Sequence, residues 1–277
     1  MEGIRREKYK DDIAEISKCF AKFSDIEQVG ILHELIDDTP YKTKNYTKYI
    51  HDEYYIKHNK PELMDTNKKY YDLDISNDDS NDILNLIENR YSVRDYENKP
   101  LKFKEFSQII YYSMGVKYIG RGAYDQREFP FRYTNNQGGL NHLDLYLIVN
   151  NVEGIEQGLY YYDFINNRIY QMDQGNMRAI ISQINYQNEF SVYSNFLAII
   201  VTDLRRVVPK YYKRAYRMAH VDAGILTGYM QLIAENNKVS SCVIAGYLEH
   251  NIENLLNLME DEYPIITISF GYKAGTV

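Results

Sequence analysis

PKYYKRAYRMAHVDAGILTGY, residues 209–229, sets a lysine beside two tyrosines just ahead of a run with helical spacing. Ala215, Met218, Ala219, Ile225, Leu226, Tyr229, Met230 and Ile233 recur at the interval that gathers apolar side chains on one side of an α-helix, over about five turns. Gly224 and Gly228 stand four apart on a strip shared with Ala223 and Thr227. Small residues at that spacing let another backbone approach closely. The strip therefore reads either as tight packing within the chain or as a helix crossing a dimer axis. Lys210-Tyr211 also has two readings: a polar approach to the helix, or a pair placed to move a proton.

The flanks of this helix are strands. FLAIIVT (196–202) is almost wholly apolar, as a strand covered on both faces must be, and IITISFG (265–271) repeats the pattern near the end of the sequence. LDLYLIV (143–149) is a third strand. GLYYYD and RIYQM flank Asn166-Asn167 and form a hairpin. Upstream, Asp82 caps a helix with Ile83, Leu84 and Ile87 on one face, and Phe103, Phe106, Ile109 and Ile110 space a second helix that stops at Gly115. The mixture predicts an α+β protein: a sheet covered by helices.

The 277 residues exceed the usual single domain but allow one large core. A net charge of −7 argues against binding nucleic acid through its phosphates. Cys19 and Cys242 stand far apart, which excludes a disulfide scaffold and a Cys-rich zinc site. The histidines show no H-x-x-x-H spacing, so no metal site is expected. MEGIRREKYKDD leads into no apolar run, so it is not a secretory signal. No stretch reaches the ~20 apolar residues of a membrane span. The expected location is the cytoplasm, with no membrane partner. Residues 1–80 are polar and rich in Lys, Asp and Tyr, with an amphipathic helix through Ile13, Ile16, Phe20 and Phe23 and a second helix near 44–57. NKKYYDLDISNDDSND closes this region as a linker, and residues 81–277 form the main domain.

Three places carry chemistry. In NRYSVRDY, an extended backbone would turn Arg90, Ser92 and Arg94 to one side, where two guanidiniums and a hydroxyl can grip a phosphate. The plainer reading has Arg90 compensating a helix end and Arg94 solvated. In FRYTNNQGGLNHLDLYLIV, Gly138-Gly139 let a flat ring or phosphate come close to the backbone, and Asn135, Asn136 and Gln137 offer amides to its edge. The alternative is an ordinary turn into a strand. In SSCVIAGY, Cys242 sits in a short apolar piece between helix and loop. It reads as a buried structural thiol, because no partner base is evident.

Taken together and in this order, R-x-S-x-R, the glycine loop leading into a strand, K-Y-x-x-R-x-Y-R opening a long helix and S-C-x-I-x-G near the end resemble the FMN-dependent nitroreductase superfamily. More narrowly, the order resembles the SagB-type dehydrogenases, which oxidise thiazolines and oxazolines in ribosomally made peptides. The resemblance covers about residues 81–273. It implies a nitroreductase-like fold, with a central, mainly antiparallel sheet flanked by helices, in an intertwined homodimer. It implies FMN, with Arg90, Ser92 and Arg94 on the phosphate and ribityl chain, and Ser241, Cys242 and Gly246 in a turn beside the flavin ring. It places Asn136, Gly138 and Gly139 in the flavin-facing loop and Lys273 as a further cation near the phosphate. Lys210 and Tyr211 match the pair regarded as catalytic.

One segment departs from the pattern. NNQGGLNHL stands where relatives carry P-S-x-G-x-L-Y-P: Gly138 and Leu140 remain, Asn136 replaces the serine, and Asn141-His142 replace Tyr-Pro. Asn136 keeps a donor for a flavin, and His142 is a second candidate base, ranked behind Lys210. Three functions follow. The first is azoline dehydrogenation on a peptide beside a cyclodehydratase partner, with dioxygen reoxidising the flavin. The second is an NAD(P)H-driven reductase of nitroaromatics, quinones or dehydroamino acids. The third is a flavin-poor scaffold or leader-peptide binder in a modification complex. Residues 1–80 read as a partner or peptide contact, as part of the same fold, or as an arm around a second subunit.

Overall fold

The computed structural model describes residues 82–121, 128–185 and 188–275. These residues all belong to one of the two units into which the chain divides; the other is Asp25–Asn81. The helices expected in residues 1–80, the linker and Cys19 lie outside the described residues.

A sheet of six strands forms the frame: β3 (Leu143–Val149), β4 (Gly158–Asp163), β5 (Arg168–Gln174), β6 (Phe196–Asp203), β7 (Ser240–Ile244) and β8 (Glu262–Gly271). Its order is β5-β4-β3-β6-β8-β7, and every neighbouring pair is antiparallel. β6 lies in the middle, paired with β3 from Leu143↔Thr202 to Val149↔Phe196 and with β8 on its other side. All eight of its residues are buried because both faces of the sheet are covered. Side chains alternate across a strand, so Phe196, Ala198 and Ile200 face one layer and Leu197, Ile199 and Val201 the other.

The first layer contains α2 (Phe103–Met114) and the long α5 (Ala215–Asn236), which supply Phe106, Ile109, Ile110 and Met114, and Ala223, Leu226, Met230 and Ala234. Phe106 meets Phe196 edge-on with centroids 5.0 Å apart, and Phe196 stacks on Phe270 at 4.6 Å. Such pairs add about 0.5–1.5 kcal/mol each beyond their buried area. The second layer contains α3 (Arg178–Ile184) and α6 (Glu249–Leu256), with Ile181, Ile184, Ile252 and Leu256 against Leu197, Ile199 and Val201. Asn167 takes a left-handed conformation in the turn between β4 and β5, which an Asn side chain tolerates.

Several local readings are corrected. The expected face of α1 (Asp82–Asn89) is not interior: Ile83, Leu84 and Ile87 are exposed to solvent among the described residues. The short apolar piece expected between helix and loop is β7, an edge strand, and Cys242 is buried in it as a free thiol. Lys210 belongs to a separate helix, α4 (Leu204–Tyr211), which a 3-10 turn at Tyr212–Arg214 divides from α5. The break falls where Tyr212 adopts positive φ, three residues after Pro209. A hairpin of β1 (Val116–Arg121) and β2 (Glu128–Arg132) stands apart as a two-stranded sheet. Its sequence does not announce it, since Gly120 and Pro130 interrupt the strand pattern. The buried side of α5 also differs from the expected stripe. It includes Ala215, Ala219, Asp222, Ala223, Leu226, Met230 and Ala234, while Tyr229 is exposed.

Candidate active site

Lys210 and Tyr211 are placed by a clamp of charges. Asp203 caps α4 by accepting from the Arg205 amide at 3.0 Å. Arg205 donates to Asp203 and Glu262, each at 2.7 Å, tying α4 to β6 and β8. Arg206 donates to Asp144 at 2.7 Å and to the Asn141 carbonyl at 3.1 Å, tying α4 to β3 and to the glycine loop. Held this way, the last turn of α4 faces that loop. The Lys210 ammonium donates to the Gly138 carbonyl at 3.4 Å and lies 5.4 Å from the centre of the Tyr211 ring. A side chain on Gly138 would put its Cβ 2.5 Å from the Tyr211 hydroxyl and 2.6 Å from Lys210 Nζ. Lys210 is exposed and Tyr211 half-buried.

The loop itself is stiff. Gly138 and Gly139 both have positive φ, 66° and 68°, which glycine adopts without cost. Asn136 and Asn141 bond to each other twice: the Asn141 amide donates to Asn136 Oδ1 at 3.2 Å, and Asn136 Nδ2 donates to Asn141 Oδ1 at 3.1 Å. Asn141 Nδ2 also donates to the Pro130 carbonyl, so the loop leans on the β1–β2 hairpin. The sequence reading treated Asn136 as a donor for a flavin; much of its amide is engaged inside the loop.

The second group forms at the β7 edge. Residues 90–96 run alongside it, with Ser92 bridged to Ser241 and the Val93 amide donating to the Ser241 carbonyl at 3.1 Å. Tyr96 bridges Lys273 beyond the end of β8. This strap brings Arg90, Ser92, Arg94, Ser241, Cys242 and Lys273 into one neighbourhood. Burial pushes the Cys242 thiol up, while Arg94 and a hydrogen bond from Ser92 pull the other way. Burial likewise raises Glu235, and Arg90 opposes it. The Arg94 guanidinium lies 5.9 Å from the centre of the Phe190 ring, and nearby Asn188 donates to the Gly246 carbonyl at 3.0 Å. The Lys273 ammonium stands over Tyr91 at 5.0 Å. None of Arg90, Arg94 and Lys273 forms a salt bridge with a described residue.

The two groups meet different parts of α5. The Gln137 amide donates to Asp222 at 2.9 Å, whereas Ser241 Oγ accepts from Gln231 at 3.5 Å. Nine residues of helix separate those points, roughly 13 Å of rise. Sequence reasoning missed Asp222, Thr202 and Arg132, and met His142 only as a spare base. The one signal for Asp222 was a carboxylate inside an apolar helical run.

A nitroreductase fold with clustered cations at one strand edge and an amine–phenol pair on a glycine loop defines a class. The chain belongs to the nitroreductase family, whose pattern matches residues 87–272, a family of flavin oxidoreductases. It is 24% identical over 184 residues to a nitroreductase-family protein of Methanocaldococcus jannaschii, covering 66% of this chain and 87% of that one. The fold is shared with a nitroreductase-type protein of Anabaena variabilis at a TM-score of 0.59 and 22% identity. That match covers 70% of this chain and only 38% of the Anabaena chain. It is also shared with a chain of the E. coli microcin synthetase McbBCD complex, solved with truncated pro-MccB17 bound, at a TM-score of 0.57 and 14% identity. There the match covers 95% of this chain and 98% of the other. No helix among the described residues is long and apolar enough to cross a membrane.

Proposed function

We propose that the chain is an FMN-dependent dehydrogenase that oxidises thiazoline or oxazoline rings of a ribosomally made peptide to thiazole or oxazole. It works as a homodimer beside a cyclodehydratase partner, with residues 1–80 contacting peptide or partner. The observation that carries this reading is the meeting of Lys210, Tyr211 and the Gly138 carbonyl. An amine and a phenol converge on a backbone that only a glycine leaves bare enough for them to approach. The likeness in fold, over nearly the whole of both chains, to one chain of a microcin synthetase complex solved with truncated pro-MccB17 supports a peptide as substrate. Gly224 and Gly228 support the homodimer: a Cβ on either would meet no described atom within 4 Å beyond its own helix, so these two positions are open in the single chain, while Ala223 and Thr227 beside them are buried.

The residues present fit FMN. Three cations without salt bridges to described residues, two serines and a backbone strap gather at the β7 edge. Arg90, Arg94 and Lys273 would hold the phosphate, with Ser92 and Ser241 donating hydroxyls. The loop at Asn136, Gly138 and Gly139 and the turn from Cys242 to Gly246 would face the ring. When bound, FMN would supply a two-electron acceptor for the azoline's hydride, with dioxygen as the final oxidant. The chain's own task is to take the proton. Lys210 Nζ, set against the Gly138 carbonyl, is the group placed to accept it from the ring carbon. Tyr211, half-buried beside it, orients the azoline. Each ring loses one proton and one hydride.

The test uses the purified full chain, its visible spectrum and an azoline-containing peptide, with loss of two hydrogens per ring read by mass spectrometry. Lys210→Ala should keep the yellow colour and lose turnover; wild-type turnover in that variant refutes the role. A second reading, an NAD(P)H-driven reductase, is favoured by the Asn136–Asn141 bonding, which uses the side chain standing where relatives carry serine. Rapid bleaching by NADPH without peptide would establish that direction instead.

A further inference from the structure

Asp222 is a carboxylate on the buried side of α5, only 1% exposed. A buried carboxylate is costly unless it is used. Its Oδ2 accepts from the Gln137 amide and meets His142 Nε2, both at 2.9 Å. His142 is fully buried, and its Nδ1 lies 3.0 Å from Thr202 Oγ1 on β6. With Asp222 accepting, His142 carries a proton on Nε2, and Nδ1 can accept from the Thr202 hydroxyl. The chain Thr202–His142–Asp222–Gln137 thus runs from the central strand, through the long helix, to the residue next to Gly138.

Asp222 Oδ1 has no hydrogen-bond partner among the described residues, and the same holds for Thr134 Oγ1 and for Nε and Nη2 of Arg132. These residues line one cavity of about 10 Å³ together with Asn136, Asn141 and His142. That is about the size that holds a single water. Arg132 can only donate and Asp222 can only accept, whereas a water does both. The Arg132 guanidinium is fixed independently: it lies 3.7 Å over the Phe164 ring and donates from Nη1 to the Leu143 carbonyl at 2.9 Å. Burial pushes its pKa down to about 10, as expected of a cation with unmet donors.

We propose that Asp222 and His142 are positioning residues for the Lys210–Tyr211 pair, and that one water in the Arg132–Thr134 cavity completes the network holding them. The first half rests on the function proposed above; the second does not. The loop is cross-linked by Asn136 and Asn141, so the Gln137 anchor fixes where Gly138 stands. Gly138 in turn is what Lys210 and Tyr211 rest against. Asp222 and His142 act through that loop and touch neither substrate nor cofactor.

Asp222→Ala and Asp222→Asn in the full chain test this. The alanine removes the acceptor; the asparagine can still accept from Gln137 and His142. In Asp222→Ala, amide hydrogen exchange at residues 136–139 should rise, and kcat should fall by about 10- to 100-fold with KM changed far less. Asp222→Asn should restore both. Unchanged exchange and unchanged kcat in the alanine variant overturn the positioning role. Should the alanine variant fail to fold, His142→Gln carries the same exchange and kinetic comparison. A crystal structure of the wild-type chain should show one water within about 3.2 Å of Arg132 and Asp222 Oδ1. A dry cavity, or Arg132 bonded directly to Asp222, overturns the water. A wild type without turnover would refute the proposed reaction, and the exchange comparison alone would then decide the anchoring.

Discussion

Replacing Gly138 by alanine isolates the contact on which the site depends. Gly138 has a φ of 66°, and an alanine there pays roughly 1–2 kcal/mol for its left-handed backbone. Its Cβ would also stand 2.5 Å from the Tyr211 hydroxyl and 2.6 Å from Lys210 Nζ, closer than real Cβ contacts come. Both atoms end flexible side chains, so they would yield by about 1 Å rather than unfold the helix. A displacement of that size at reacting groups can cost about 100-fold in rate. Gly139→Ala is the matched comparison. Its φ of 68° imposes the same strain, but its Cβ would meet only ring atoms at ordinary contact distance, Phe129 at 3.6 Å and Phe131 at 3.9 Å. Thermal unfolding should show similar losses for both variants, about 2–8 °C. Steady-state turnover on an azoline peptide should fall at least about tenfold further in Gly138→Ala than in Gly139→Ala. Equal turnover in the two variants, with equal stability, would refute the claim that Gly138 sets the position of Lys210 and Tyr211.

Arg94→Ala should weaken FMN binding about 10- to 150-fold, the equivalent of roughly 1.5–3 kcal/mol for a charge-assisted phosphate contact. Quenching of flavin fluorescence in a titration measures it, and unchanged affinity would remove Arg94 from the phosphate site. Phe106→Ala, which empties a fully buried position against Phe196, should cost about 3–5 kcal/mol and lower Tm by about 6–20 °C, read by calorimetry. In alkali the buried tyrosines set the limit. Burial raises Tyr96, Tyr146, Tyr162 and Tyr247 well above their ordinary value and holds Tyr161 at about 12. Unfolded tyrosines release protons near pH 10 while the folded ones keep them, so the tyrosines' contribution to stability is fully present below that pH and is lost as pH rises through the folded values. Tyrosinate absorbance should therefore appear in two stages, exposed residues first and the rest together with loss of circular dichroism. A single stage near pH 10 with the fold intact would contradict the burial.

Much of the frame was legible because its signals are local. The apolar runs at 143–149, 196–202 and 265–271 became β3, β6 and β8, and Asn166-Asn167 marked the β4–β5 turn. The spacing of Phe103, Phe106, Ile109 and Ile110 became α2, which stops at Gly115 as expected. The β1–β2 hairpin was not legible, since Gly120 and Pro130 dilute its pattern and its cohesion comes from pairs such as Tyr118 stacked on Phe131 at 4.9 Å. Nor was α4, a short helix with a proline inside that charge pairs to distant Glu262 and Asp144 hold in place.

The sequence by itself determined the alternation that makes a sheet buried on two faces, the long helix, and the colinear motifs that place the chain among nitroreductases. Tertiary structure alone decided which charges matter. The segment carrying Arg90, Ser92 and Arg94 comes to the edge of β7 only because it pairs with Ser241, about 150 residues on, and the buried Asp222 carboxylate is satisfied only because Gln137 and His142 reach it from another element. Apolar periodicity is a property of neighbours along the chain, whereas the role of a buried charge is set by the partners that folding brings within about 3 Å.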